Sequence, residues 1–334
     1  SKTNKNQGSL FSGGCRSDEF QPDIHPAEAA DVRRDCQNRG RMNVVTCSDE
    51  ELSRFIADVN GLTMDNIHLS GQAFSFPQVI PVIPRGMFSW PSSSIPSDIV
   101  GVCLDDILTK PIRQRAGRYI LPVGSTINPL ALAAPVFHGK RVVLFSTGRD
   151  IMIETLWWER HDMHLFETLT QMGFVGITGM NFSIIAGECP CAHALNIKKS
   201  LCYCQELSNR GVWTIPHVYA ENPYQRERWV RLLRRQPHIK LVTMNSQLQR
   251  MRVDDMHEFF ETVRALIENT DVSILIQGRA TGMPKDLRPY IAKRMHFAVS
   301  GPCKNAMIFK DKPVAEHLLD FNRVIWSMSE DTLL

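Results

Sequence analysis

A chain of 334 residues with 43% hydrophobic and 22% charged side chains has a globular composition and can bury a large core, which excludes a disordered or fibrous protein. Its net charge of +3 permits an anionic partner without demanding one, so the placement of charge says more than the sum. The longest apolar runs, such as Val142 to Phe145 and Ile274 to Ile276, are strand-sized and far short of the roughly 20 residues that cross a bilayer.

The start, Ser1 to Gly14, is polar, reads as a flexible tail and lacks the apolar run of a secretory signal; a cytoplasmic protein with no membrane partner is expected. The nine cysteines are unevenly spaced, which fits reduced thiols better than a disulfide framework. Residues 1–76 form a polar extension in which Ser48-Asp49-Glu50-Glu51 is a capping box. Leu52, Phe55, Ile56 and Val59 follow at helical spacing, so a short helix is expected over 49–60, ending at Gly61.

From Pro77 the chain alternates short β-branched runs with amphipathic stretches. Eight strands are expected at 78–83, 98–104, 141–146, 174–180, 212–219, 239–244, 272–277 and 297–300. Helices are expected at 151–172, 192–209, 223–236, 253–268 and 285–295, with a closing helix near 313–328. Strands separated by helices pair in parallel through right-handed crossovers, and eight such units suit a (β/α)8 barrel of the TIM type over 77–334. The alternative is an open doubly wound sheet. The stretch at about 110–140 is longer than the other connections, carries several prolines and glycines, and reads as an insertion.

In such a barrel, polar residues at the carboxyl ends of the strands converge on one site. Asp105 and Asp106 follow the second strand, and by strand alternation at most one of them should face the site, as base, nucleophile or cation stabiliser. His217, Tyr219 and Glu221 share one face after the fifth strand, and Asn222 before Pro223 is either a ligand-binding amide or a helix N-cap. Asn181, Asn245 and Gln277 end three further strands with amides that both donate and accept. Arg85 follows the first strand, Arg149 the third and Arg279 the seventh.

No cofactor and no metal are expected. The first strand, Val79-Ile80-Pro81-Val82-Ile83, lacks a His-x-His pair, and neither Cys189-Pro-Cys191 nor Cys202-Tyr-Cys204 has the usual zinc spacing. P-loop, dinucleotide and nucleophile-elbow signatures are absent. A basic flank, with Arg226, Arg228, Arg231, Arg234 and Arg235 interleaved with Tyr224 and Trp229, suits contact with a nucleic-acid backbone.

A barrel with amide-bearing strand ends, an acidic residue at the site and a basic flank resembles the tRNA-guanine transglycosylase superfamily, and within it the bacterial phage-defence DNA glycosylases. The Asp-Ser-Gly-Gly-Phe motif and the metal-binding cysteines of the transfer-RNA enzymes are not found, which favours hydrolysis over base exchange. The resemblance implies a DNA glycosylase that hydrolyses the N-glycosidic bond of a flipped, modified base, with DNA as partner. Asp105, Asp106 or Glu221 would be catalytic. Arg85, Asn181, His217, Tyr219, Asn222, Asn245, Gln277 and Arg279 would bind the substrate, and the five arginines of the flank would hold the DNA backbone. Two alternatives stay open. One is a small-molecule barrel enzyme, a lyase or sugar-phosphate enzyme with Arg149 or Arg279 on a phosphate; the other is a non-catalytic nucleic-acid-binding module.

Overall fold

The computed structural model describes residues 49–71, 75–115, 118–184, 190–246, 253–278 and 282–330. The polar start, Cys189 and Arg279 lie outside them. All eight expected strands are present: β1 (Val79–Pro81), β2 (Ile99–Cys103), β5 (Arg141–Phe145), β6 (Gly176–Thr178), β7 (Thr214–Ile215), β8 (Leu241–Asn245), β9 (Ser273–Gln277) and β10 (Met295–Val299). They form an α/β fold with two four-stranded parallel sheets, ordered β1-β10-β9-β8 and β2-β5-β6-β7. A single parallel bridge joins the sheets at each edge, Val82 with Gly101 and His217 with Thr243. The stretch read as an insertion carries an antiparallel hairpin, β3 (Arg113–Arg115) with β4 (Arg118–Ile120).

Alternation along the strands sorts the core into two layers. Val100, Val102, Val142, Leu144, Val242, Ile274 and Ile276 belong to the large outer core that meets the helices. Ile80, Val82, Ile99, Val143, Phe145, Trp213, Ile215, Leu241, Leu275 and Ala298 form a separate inner cluster between the sheets. Gly101 is required by that inner packing, because a Cβ there would stand 2.3 Å from Cε2 of Phe145, itself buried. Gly101→Ala is accordingly expected to cost about 1–3 kcal/mol through overpacking, read as a lower urea midpoint with an unchanged slope. A change below a few tenths of a kcal/mol would show that Phe145 is free to move.

The helices that flank the strands are α1 (Asp49–Asp58), α2 (Asp150–Trp158), α3 (Leu165–Gln171), α4 (Pro190–Ser208), α5 (Pro223–Arg235), α6 (Val253–Asn269), α7 (Ile291–Arg294), α8 (Gly301–Phe309) and α9 (Val314–Glu330). The helix expected over 151–172 is two, because the chain breaks between α2 and α3 with His164 in the left-handed region at φ 47°. Residues 285–290 wind as a 3₁₀ segment containing Pro289, which cannot donate to an α-helical ladder, so only α7 remains of the helix expected there. Helix α8 was not anticipated. No described helix is long and apolar enough to cross a membrane.

The segment after α1 is tied onto α4 and α5. Lys198 donates to the carbonyl of Thr63 at 2.5 Å and to the amide of Asn66, Arg228 to the carbonyl of Leu62 at 2.7 Å, and Gln236 to that of Ile67 at 2.9 Å. It covers the outer side of α4, which explains a helix with buried residues around its whole circumference, including Cys191, Leu195, Lys198, Lys199 and Cys204.

Candidate functional site

At the carboxyl end of β2 three ionisable side chains, Cys103, Asp105 and Asp106, lie close together. After β2 the chain does not continue as a strand but turns through a 3₁₀ segment, Leu104–Ile107. Residues in such a turn step by about 120° rather than 180°. Asp105 and Asp106 therefore do not diverge as strand alternation predicts. Both are partly buried, and their carboxylate oxygens and the Cys103 thiol lie within 4.8 Å of one another.

Two loops fix this pair. Arg85, in the turn after β1, donates its backbone N–H to Asp106 Oδ1 at 3.0 Å, its Nε to the Asp106 carbonyl at 2.9 Å, and its Nη2 to the carbonyl of Leu108. Asp106 thus caps the Arg85 turn while keeping its second oxygen for other work. After β5, Arg149 Nη1 stands 3.9 Å from Asp105 Oδ2, with the arginine side chain 41% exposed. Gly148 beside it makes room, since a Cβ there would come within 3.8 Å of Asp105 Cβ and 2.0 Å of Met152 Cε.

Burial and the neighbouring Asp105 charge push the Asp106 carboxyl up to about 6, against the pull of the Arg85 N–H and of the Lys304 and Arg85 charges. Burial also raises Asp105, offset chiefly by Arg149 and then by Lys304 and Arg85. Cys103 is raised by burial first and by both aspartates after that, so it stays a neutral thiol at physiological pH. Two carboxylates and a thiol at this spacing could approach a divalent cation. Against it, the thiol is held protonated and cationic side chains already supply positive charge on that side. Lys304, in the first turn of α8, acts on all three groups and is a site residue that the sequence did not single out. Its signal was its place four residues past Ser300, on a short helix that went unread.

A second layer lies below this group, where the inner faces of the two sheets meet. Thr147, just past β5, donates its hydroxyl to Gln277 Oε1 at 2.7 Å, crossing from one sheet to the other. Gln277 Nε2 donates to Thr243 Oγ1 at 3.0 Å, and Thr243 Oγ1 to the carbonyl of Leu275 at 2.9 Å. Both ends of the Gln277 amide are thus engaged by protein, so it braces the sheets. Removing the hydroxyl in Thr147→Val leaves a buried amide oxygen short of a donor, with an expected cost of about 1–3 kcal/mol in a chemical denaturation curve. Unchanged stability would show that water replaces the bond.

His217 bridges to Thr243 and is 6% exposed, and burial pushes its pKa down to about 4. Asn181 is buried, with its N–H on the carbonyl of Ser146 at 3.0 Å, and Asn245 is buried at the end of β8. The remaining residues of the fifth strand end go elsewhere, because regular strand geometry stops at Ile215 and the period of two lapses after the His217 bridge. Tyr219 offers its carbonyl to Trp229 Nε1 at 2.9 Å. Glu221 Oε2 lies 3.1 Å from Nδ1 of His193 in the first turn of α4. Asn222 is the N-cap of α5, its side chain accepting from the Gln225 N–H at 2.9 Å.

Four of the five arginines of the basic flank are engaged by the protein itself, and Arg231, Arg234 and Arg235 stay exposed. Arg226 pairs with Glu258, and Arg228 is buried against Leu62. Arg234 donates to the carbonyl and side chain of Asn269 at 2.9 and 3.0 Å, and Arg235 pairs with Asp65. Arg231 is exposed and acts on the same Asp65.

No family model matches the chain, and no curated protein matches it. Among solved structures it is similar to the YdjI aldolase from Escherichia coli K12, at 12% sequence identity and a TM-score of 0.37, over 82% of this chain and 92% of that one. The expected hydrolase is corrected on this point: four of the five arginines on which the DNA glycosylase reading relied, Arg226, Arg228, Arg234 and Arg235, are bonded within the protein.

Proposed function

We propose that the chain is a small-molecule enzyme of the lyase or sugar-phosphate type. Its eight strands close as a (β/α)8 barrel, Asp106 serves as general base, and Arg149 holds an anionic group of the substrate. Closure is supported by parallel bridges at both sheet edges and by the apolar layer that strands of both sheets share. The observation that carries the reaction is the partly buried Asp106 carboxyl, held by the Arg85 N–H beside Asp105 and pushed up to about 6, where a group poised near neutral pH can both take and return a proton.

The ionised carboxylate would remove a proton from a substrate hydroxyl or from the carbon next to a carbonyl. In the first case the oxygen's electron pair forms a carbonyl, the adjacent carbon–carbon bond breaks with its pair passing to the leaving fragment as an enolate, and Asp106 returns the proton to that carbon. In the second the pair forms an enolate directly, which is reprotonated at carbon. Arg149 and Lys304 place positive charge where that negative charge develops. Proton transfer is read without knowing the physiological substrate, by NMR of deuterium exchange from solvent into a panel of small keto and hydroxy phosphates and carboxylates. Exchange with at least one member is expected, rising with pH through about 6 as Asp106 ionises, and KM should rise about tenfold or more in Arg149→Ala. A panel that neither binds nor exchanges would end this reading.

A further inference from the structure

Among the described residues, Nε2 of His217 after β7 and Nδ2 of Asn181 after β6 are buried polar atoms at the site end of the strands with no hydrogen-bond partner. Buried nitrogens are almost always satisfied, and leaving one open costs on the order of 1–3 kcal/mol, so an open one marks a position that a bound molecule completes. His217 stands out because its surroundings are otherwise closed. It continues the inner-facing series of Trp213 and Ile215, and its neighbours lock it in place. The Val218 N–H donates to the Thr243 carbonyl and the Thr243 N–H to the Pro216 carbonyl, both at 2.8 Å. Beside it, the side chains of Thr147, Gln277 and Thr243 satisfy one another and Leu275. The His217 imidazole is thus a fixed, open valence next to the Thr147–Gln277–Thr243 layer.

We propose that His217 is a substrate-positioning and specificity-determining residue, whose Nε2 hydrogen-bonds a neutral substrate oxygen, a carbonyl or hydroxyl, while Arg149 holds the anionic end. This rests on the small-molecule reading above and narrows its substrate class to a compound with an anionic group at one end and an uncharged oxygen at the other. A second anion is disfavoured at His217, because the imidazole there stays neutral at physiological pH and burial opposes its protonation. The hydroxyl and amide groups around it are uncharged as well, and the cations Arg149, Lys304 and Arg85 gather at the aspartate pair.

Acetol phosphate and propyl phosphate test this, since they share a phosphate and a three-carbon chain and differ by one carbonyl oxygen. In calorimetric titrations of the full chain, the wild type is expected to bind acetol phosphate about tenfold more tightly than propyl phosphate. His217→Leu should bind the two alike, with propyl phosphate affinity unchanged. His217→Gln, which restores a polar hydrogen-bonding group, should recover part of the preference and separates loss of the bond from loss of packing. A wild type without preference, or a preference that survives in His217→Leu, overturns the assignment of His217 while leaving the small-molecule reading intact. Failure of both phosphates to bind the wild type overturns the assignment and counts against the anion site of the underlying reading too.

Discussion

Asp106→Asn is expected to lower proton transfer by at least about 100-fold and yet to stabilise the protein above pH 6. The loss of activity follows from removing the base, whose contribution is typically 10²- to 10⁴-fold. The gain in stability follows from the sign of the shift. The Asp106 carboxyl is raised from 3.8 to about 6, so between those values the folded state holds a proton that the unfolded chain has released. Wild-type stability therefore falls as pH rises through that window and stays lower above it. Asparagine keeps the acceptor that the Arg85 N–H needs and removes the buried charge, with an expected gain of about 2 kcal/mol at pH 8 that vanishes below about pH 4.

His217 moves in the opposite sense, and this makes the comparison sharper. Its pKa falls from 6.5 to about 4, so the unfolded chain binds the extra proton and stability is lost as pH drops through that range. In the wild type the two slopes oppose each other between about pH 4 and 6. In Asp106→Asn only the His217 slope remains, and the variant should lose stability more steeply on acidification. Melting temperatures from pH 4 to 8 read both effects. An asparagine variant less stable than the wild type at pH 8 would mean that Arg149, Lys304 and Arg85 more than repay the burial of the ionised carboxylate.

The second large effect lies away from the site. Lys199 on α4 has only 2% of its side chain exposed, and its Nζ donates to both oxygens of Glu154 on α2 at 2.8 and 2.9 Å. Trp158 Nε1 also donates to that carboxylate at 3.1 Å, and the ammonium stands 4.2 Å from the centre of the Phe182 ring. Burial holds Lys199 below the ordinary lysine range, with Glu154 pulling it back. Glu154→Leu leaves that ammonium without its nearest counter-charge, and about 3–5 kcal/mol of stability should go in a urea titration. Part of the loss should return at higher pH. A lysine whose folded pKa is depressed further leaves the unfolded chain holding more protons, so stability climbs as pH rises. Adding Lys199→Met to Glu154→Leu should bring stability back to near the wild-type value, because the pair's attraction mainly offsets its own desolvation. A single variant that loses less than about 1 kcal/mol would place water within reach of Lys199.

The elements were legible to different depths for physical reasons. Strand positions follow from runs of β-branched and apolar residues such as Ile99–Cys103 and Ser273–Gln277, which are buried on both faces and leave a strong local signal. Asn222 before Pro223 announced the start of α5 for the same local reason. Local pattern failed where the backbone changed geometry without a compositional mark, as at the 3₁₀ turn after β2 and the break at His164. It failed again for charge. The arginines of α5 read as a flank for a nucleic-acid backbone, because no sequence window contains the distant carbonyls and carboxylates that receive them.

By itself the sequence determined the order and parallel pairing of eight strands and the residues at their carboxyl ends, since alternation, caps and crossover handedness act over a few tens of residues at most. The tertiary structure alone decided which of those residues meet. It set Arg149 and Lys304 beside Asp105 and Asp106, joined Thr147 to Gln277 across the two sheets, and left the His217 imidazole open. Such encounters depend on distances between segments many tens of residues apart, and those distances, with the burial that shifts each pKa, exist only once the chain has packed.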